Sequence, residues 1–126
     1  MNTDIVIIGA GPAGIFTAME LLRRGSKEKI LLLEKGRSIE TRKCPKAQTG
    51  RCMNCKPYCH ITTGFSGAGA FSDGKLSLSP EVGGDLPQLI GEDAVQSLIE
   101  YTDSIYLGVR RGHARGGRER KRSVKE

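Results

Sequence analysis

The sequence predicts an α/β fold built on a parallel sheet, and three segments lead to this class. Residues 3–8 (TDIVII) form a short β-branched run that ends at a glycine, as a buried strand does. Residues 12–24 carry apolar side chains at helical spacing, and residues 29–34 (KILLLE) form a second continuous apolar run. Strand, helix and strand in this order predict a βαβ unit with a right-handed crossover.

The predicted helix has suitable residues at both ends. Pro12 is tolerated in the first turn, because the N–H group that it lacks has no partner inside a helix there. Arg23 and Arg24 lie near the C-terminal end, where the helix dipole favours cations, and Gly25 follows as a stop.

The rest of the chain is less regular. Residues 35–60 are polar and contain cysteines and prolines, so we expect an irregular excursion. Residues 61–79 are rich in glycine and serine, with two short apolar stretches. Residues 92–107 carry apolar side chains on one face and two acidic residues in the first turn, which predicts an amphipathic helix.

The turn between the first strand and the helix reads Gly9-Ala10-Gly11-Pro12-Ala13-Gly14, a GxGxxG pattern. In this context Gly9 permits the tight turn, and Gly11 lets a pyrophosphate approach the backbone. Gly14 allows the helix to pack closely on the strands, and the helix N-terminus offers its N–H groups to phosphates.

Glu34 ends the second strand, 20 positions after Gly14. A carboxylate there accepts hydrogen bonds from the hydroxyls of an adenosine ribose and repels a 2′-phosphate, which disfavours NADP. The fold class is therefore predicted as α/β with an incomplete, Rossmann-like FAD/NAD(P)-binding βαβ unit and irregular Cys- and Gly-rich insertions. The motif itself does not distinguish FAD from NAD.

A second glycine-rich segment spans Thr62 to Ser79 (TTGFSGAGAFSDGKLSLS). Its glycines alternate with small and hydroxyl-bearing residues, so its backbone is able to pass close to a cofactor. A flexible surface loop is the alternative, but Phe65, Phe71 and Leu76 give the segment apolar side chains to bury.

Four segments in this order carry a family resemblance: IIGAGPAGIFTAMELLRRG, LLLEKGRSIETRKCP, CMNCKPYC and TTGFSGAGAFSDGKLSLSPEVGG. Residues 3–108 resemble the N-terminal part of a family of FAD-dependent dehydrogenases, or NAD(P)/FAD-dependent oxidoreductases, which are largely uncharacterised bacterial flavoproteins. The resemblance implies that FAD is the cofactor. It also implies that the glycine loop and Glu34 hold the ADP half, with Gly64–Gly74 along the pyrophosphate and Arg42 near the adenine or phosphates. The predicted cofactor-binding residues are Gly9, Gly11, Pro12, Ala13, Gly14, Glu34, Lys35, Arg42, Gly67, Ala68 and Gly69.

Four cysteines lie between residues 44 and 59 with the spacing C-x7-C-x2-C-x3-C. The C-x2-C step suits a tetrahedral metal ion or an iron–sulfur cluster, and His60 is a possible substitute ligand. A cluster would relay electrons beside a flavin, whereas zinc would order the loop. Redox-active or inert thiols are the alternatives. The candidate metal ligands are Cys44, Cys52, Cys55 and Cys59.

The net charge of +6 is confined to one end of the chain. Residues 1–108 contain 12 Lys and Arg and 12 Asp and Glu, while residues 109–126 contain eight and two. We therefore expect a partial FAD/NAD(P)-binding domain over residues 1–108, with the Cys-rich excursion at 35–60 inside it. Residues 109–126 are expected to be a basic tail that is disordered or out of frame.

The predicted function is that of the FAD-binding N-terminal portion of a flavin-dependent oxidoreductase, truncated and inactive alone. The alternatives are a basic-tailed nucleic-acid-binding protein and a small NAD-binding or Fe–S accessory subunit. The tail has no aromatic side chain for base stacking, which argues against nucleic acid. We expect a small-molecule substrate and a cytoplasmic location without a membrane segment, since the apolar start is short and lacks a basic flank. The catalytic residues, the substrate and the oligomeric state are left open.

Overall fold

The structure is a computed structural model that describes residues 2–113. Its fold is α/β with a small parallel sheet, which confirms the α/β part of the predicted class. Strand β1 (Ile5–Ile8), helix α1 (Pro12–Arg23) and strand β2 (Ile30–Leu33) follow one another as predicted. The chain divides into two compact units, Met1–Asp73 and Gly74–Glu126.

The two strands of the first unit pair in parallel, with Ile5 opposite Ile30 and Ile8 opposite Leu33. The pleat sends alternate side chains of β1 to opposite faces, so Ile5 and Ile7 are half-buried while the others are exposed. Val6 is 52% exposed and Ile8 is 87% exposed. One face of the sheet therefore presents apolar side chains to solvent.

The excursion after β2 contains short helices that the sequence did not predict. A 3₁₀ helix spans Ile39–Thr41, and helix α2 spans Lys46–Thr49. A second 3₁₀ helix, Gly67–Phe71, lies in the second glycine-rich segment. Such single turns need only one or two local hydrogen bonds, so they leave almost no periodic signal in the sequence.

The second unit contains helix α3 (Leu86–Ile90) and helix α4 (Glu92–His113). Val95 and Ile105 of α4 are buried. The predicted helix over 92–107 is confirmed, but it continues to His113 and so includes the first residues of the predicted tail. Extending a nucleated helix adds one hydrogen bond for each residue fixed, so the composition change near residue 109 does not end it. The remaining tail residues, 114–126, lie outside the described residues.

Along the described part of the chain, no helix combines the length and the apolar character needed to cross a membrane.

Candidate functional site

The glycine loop joins the end of β1 to the start of α1 through a turn that glycine permits. Gly9 has a φ of +101°, a conformation that other residues rarely adopt. Its N–H donates to the carbonyl oxygen of Leu33 at 2.7 Å, so the turn begins where the strand pairing ends.

Gly14 brings α1 against this turn. A Cβ atom at Gly14 would lie 1.9 Å from the carbonyl oxygen of Gly9 and 3.3 Å from Cγ2 of Ile7. No side chain fits in that space. The close packing of helix and strand that the motif predicts is therefore present in the structure.

The N-terminus of α1 is open to an anion. Within residues 2–113, no side chain caps this end of the helix, and the first turn holds no acidic residue. A Cβ at Gly11 would meet no described atom within 4 Å. Because the N–H groups and the dipole of a helix N-terminus attract negative charge, this end suits a phosphate group.

Glu34 connects the glycine loop to the chain that follows β2. One carboxylate oxygen accepts the N–H of Ala10 at 2.8 Å, and the other accepts the N–H of Gly36 at 2.7 Å. These hydrogen bonds, with that from Ala10 the stronger influence, lower the pKa of Glu34 from its ordinary value of 4.5. The carboxylate is therefore ionised at neutral pH. Each oxygen still has a second lone pair to offer a ribose hydroxyl.

The second glycine-rich segment lies beside the first. The N–H of Ser66 donates to the carbonyl oxygen of Ala10 at 2.7 Å. A Cβ at Gly67 would lie 3.7 Å from Cδ of Pro12 and 3.9 Å from Cα of Gly11. The structure thus brings Gly67 to the helix N-terminus, the place where a pyrophosphate is expected.

Gly36 and Gly64 allow two backbone segments to touch. A Cβ at Gly36 would lie 2.4 Å from both Cα and N of Gly64. The N–H of Phe65 donates to the carbonyl oxygen of Arg37 at 3.3 Å beside this contact. The chain after Glu34 and the second glycine-rich segment therefore form one packed cluster with the glycine loop.

Arg42 is 4% exposed and is the buried charged residue of the described chain. Its guanidinium donates to backbone carbonyls of the second glycine-rich segment, and the guanidinium carbon lies 4.8 Å from the centroid of the Phe71 ring. Contact with adenine or phosphate, the role expected from the sequence, stays a prediction.

The other predicted cofactor residues lie around this cluster with less constraint. Pro12 is exposed at the first position of α1, and Ala13 is exposed beside it. Lys35 is exposed, and its charge contributes to the lowered pKa of Glu34. Ala68 and Gly69 are exposed on the 3₁₀ helix Gly67–Phe71.

The four cysteines are not gathered into a ligand set. All four are free thiols. Among the described residues, no three His, Cys, Asp or Glu side chains are arranged to hold a metal ion.

The Nδ1 atom of His60 lies 3.0 Å from the carbonyl oxygen of Lys43. Hydrogen bonds from the backbone of Thr62 and then of Ile61 lower the pKa of the exposed Cys59 thiol.

Sequence reasoning missed the roles of Gly36 and Ser66. The sequence did contain a signal for Gly36, which follows Glu34 by two positions. A glycine there allows its N–H to reach the Glu34 carboxylate and allows another backbone segment to approach closely. Ser66 adopts a φ of 66°, and serine carries no sequence signal for that conformation.

Comparison with known proteins finds a family match in the N-terminal part of the chain. Residues 2–53 match the family described as FAD binding domain. An uncharacterised protein of Clostridium beijerinckii is 38% identical over 72 residues, which are 57% of this chain and 13% of that protein. The chain therefore matches only a small part of the length of this relative. No solved structure matches the chain. The family match supports an FAD-binding, oxidoreductase-type domain at the N-terminus.

Proposed function

We propose that the first unit binds the ADP half of FAD in a Rossmann-like manner. In this proposal the chain is the FAD-binding N-terminal portion of a flavin-dependent oxidoreductase of the dehydrogenase type. The observation that carries it is the assembly of an open helix N-terminus, the glycine loop and the ionised Glu34 carboxylate in one cluster.

The residues of the cluster fit the parts of the dinucleotide. The unfilled space at Gly11 and the uncapped start of α1 suit the pyrophosphate. Glu34 suits the ribose hydroxyls, because its remaining lone pairs accept hydrogen bonds. The same negative charge repels a 2′-phosphate, so FAD and ADP should bind better than NADP.

When bound, the flavin would accept a hydride or electrons from a small-molecule substrate. The residues of the described chain contribute binding and orientation. The helix N-terminus supplies positive potential at the phosphates, and the Gly67 backbone lies next to it.

The proposal is tested by amide chemical-shift titration of the protein with FAD, ADP, NAD and NADP. We expect FAD and ADP to shift the amides of residues 10–14 and Gly36, and NADP to shift them less. Gly11→Ala should weaken FAD binding by at least about tenfold, because the added methyl group would occupy the space in which the proposal places a phosphate.

Gly108→Ala is the matched control, since Gly108 has free space around a Cβ and lies in α4. This variant should bind FAD like the parent protein. If FAD and ADP leave the amides of residues 10–14 unshifted, the proposed function is wrong. Preferential binding of NAD over FAD would favour the accessory-subunit alternative.

The four cysteines remain a predicted metal or iron–sulfur site that the observed arrangement does not form. Iron, labile-sulfide and zinc analysis of protein purified without air tests this prediction directly. A cytoplasmic location and a small-molecule substrate also remain predictions from the sequence.

A further inference from the structure

Arg42 binds a stretch of backbone rather than a single partner. Its Nη1 donates to the carbonyl oxygens of Ile61 at 3.2 Å, Thr63 at 3.4 Å and Gly67 at 3.1 Å. Its Nη2 donates to the carbonyl oxygen of Phe65 at 2.5 Å. Every second carbonyl from residue 61 to residue 67 therefore points at one guanidinium.

This arrangement explains how a charge can be buried here. Burying an unpaired cation is costly, but four carbonyl dipoles and the face of the Phe71 ring stabilise it. Arginine suits the position because its planar fork presents five N–H donors and keeps its proton. A lysine ammonium has three donors at one point and cannot reach the same four carbonyls.

The stretch that Arg42 gathers carries the turn that meets the glycine loop. Ser66 holds a φ of 66°, which is unfavourable for a residue with a Cβ and persists only where the surroundings enforce it. Its N–H donates to Ala10, and the next residue, Gly67, lies against Gly11 and Pro12. Arg42 is thus bonded to the carbonyls on both sides of the strained residue.

The nitrogen atoms of the Arg42 side chain are directed at the protein backbone. Nη1 and Nη2 are engaged by carbonyls, and Nε has no hydrogen-bond partner within the described chain. Nε faces Gly64, where a Cβ would lie only 2.9 Å from it. Both Nη nitrogens are therefore engaged by the backbone of residues 61–67.

We propose that Arg42 is a positioning residue of the nucleotide site. Through the carbonyls of residues 61–67 it holds the Ser66–Gly67 turn against the glycine loop, and it does so without contacting the nucleotide. The consequence for FAD binding rests on the proposed function, whereas the ordering of the turn does not depend on it.

Three variants test the proposal. Arg42→Lys keeps the charge and removes the fork. Gly64→Ala keeps Arg42 but disturbs both its side chain and the adjoining backbone, because the new Cβ would lie 2.7 Å from Cδ of Arg42 and 2.5 Å from the carbonyl oxygen of Arg37, at a φ of +131°. Arg51→Lys is the matched control, since Arg51 is an exposed arginine of the same excursion.

The first measurement is amide hydrogen exchange without nucleotide. Arg42→Lys should accelerate exchange at Ser66 and Gly67 by about tenfold, because the carbonyls that order the turn lose their donors. Gly64→Ala should accelerate it at least as much, because it displaces the Arg42 side chain and also strains the backbone beside the turn. Exchange at Leu32, in the paired strand β2, should stay unchanged, and Arg51→Lys should behave like the parent protein.

The second measurement is FAD affinity by chemical-shift titration. Arg42→Lys and Gly64→Ala should weaken binding by about tenfold, because the turn must then be ordered when the nucleotide binds. Adding Ser66→Gly to Arg42→Lys should recover part of the affinity, since glycine adopts the required conformation without strain.

Several outcomes would overturn the proposal. Unchanged exchange with weaker FAD binding would make Arg42 a direct ligand. Faster exchange at Ser66 and Gly67 with unchanged FAD affinity would mean that Arg42 only stabilises the fold in general. The same conclusion would follow if exchange at Leu32 were accelerated equally, or if adding Ser66→Gly recovered none of the FAD affinity. If the parent protein binds no FAD, the proposed function fails, and the exchange data alone still decide whether Arg42 orders the turn.

Discussion

Two glycines of the same loop differ in what a methyl group would meet. At Gly14 a Cβ would collide with the backbone of Gly9, whereas at Gly11 it would enter space free of described atoms. Gly11 has a φ of −76°, so alanine causes no backbone strain there. Gly14 therefore serves packing, and Gly11 serves access to the helix N-terminus.

Gly14→Ala should lower the free energy of unfolding by about 1–3 kcal/mol, because α1 must move away from the turn. This loss exceeds the gain of about 0.5–1 kcal/mol in helix propensity. Gly11→Ala should cost at most about 1 kcal/mol, mainly as a poorer N-cap. Urea unfolding of both variants measures the difference, and equal losses would contradict the assignment of roles.

Glu34 should make stability depend on pH. Its pKa is lower in the folded protein, so its contribution is present above the ordinary value of 4.5 and is lost as pH falls through the lowered value. Glu34→Gln should cost about 1–2 kcal/mol at pH 7, where charge-assisted hydrogen bonds are lost. The difference from the parent protein should shrink toward zero in acid.

Urea unfolding at several pH values measures this difference. Glu81→Gln is the control, because Glu81 is an exposed glutamate outside the cluster around the glycine loop. A cost of Glu34→Gln that stays constant from neutral to acidic pH would disprove the electrostatic role.

At the scale of elements, the site consists of one helix terminus and two loops. The strand–helix–strand unit positions the glycine loop and Glu34. The second glycine-rich segment packs against this region through Ser66 and Gly64. The contacts between the loops are backbone to backbone. Small residues are therefore required at the meeting points, and Arg42 supplies the side-chain donors.

Helix α4 depends on a narrow buried stripe. Val95 and Ile105 are buried, whereas Leu98 is 50% exposed. Val95→Ala should lower the free energy of unfolding by about 1–3 kcal/mol, and Leu98→Ala should cost less than about 1 kcal/mol despite removing more carbon atoms. Helix content during urea unfolding measures both, and the reverse order would show that burial in the structure does not govern the stability of α4.

At the scale of the whole molecule, the buried core is small. The buried apolar residues in the described chain are Ala10, Val95 and Ile105, and no large side chain there is less than 2% exposed. The apolar hollow of the second unit, about 170 Å³ in volume, is lined by half-exposed residues such as Leu76 and Leu98. Because so few side chains are fully buried, we expect the binding site to be poorly ordered before a ligand binds.

We therefore expect this chain to bind FAD weakly, with a dissociation constant of about 1 mM, because part of the binding energy must order the site. The purified protein should be colourless or nearly so. Absorption spectroscopy after gel filtration checks this expectation. One tightly bound flavin per chain would refute it and show that the site is already ordered.

The strand–helix–strand unit could be predicted from the sequence, because hydrophobic periodicity and the glycine turn are local properties. The spacing of Glu34 and the composition of the second glycine-rich segment also predicted that both lie close to a cofactor, which stays a prediction. The end of α4 was misjudged, since a change in composition does not stop a helix that is already formed. The cysteine spacing indicated a ligand set that the observed loop does not assemble.

The contacts between these parts could not be predicted from the sequence. The contact of Gly36 with Gly64, the hydrogen bond from Ser66 to Ala10 and the carbonyl cluster around Arg42 join residues 19 to 56 positions apart in sequence. Such contacts depend on the path of the backbone, and backbone groups are the same in every residue. The family resemblance placed Arg42 near the adenine or phosphates, whereas the structure surrounds its guanidinium with backbone carbonyl oxygens.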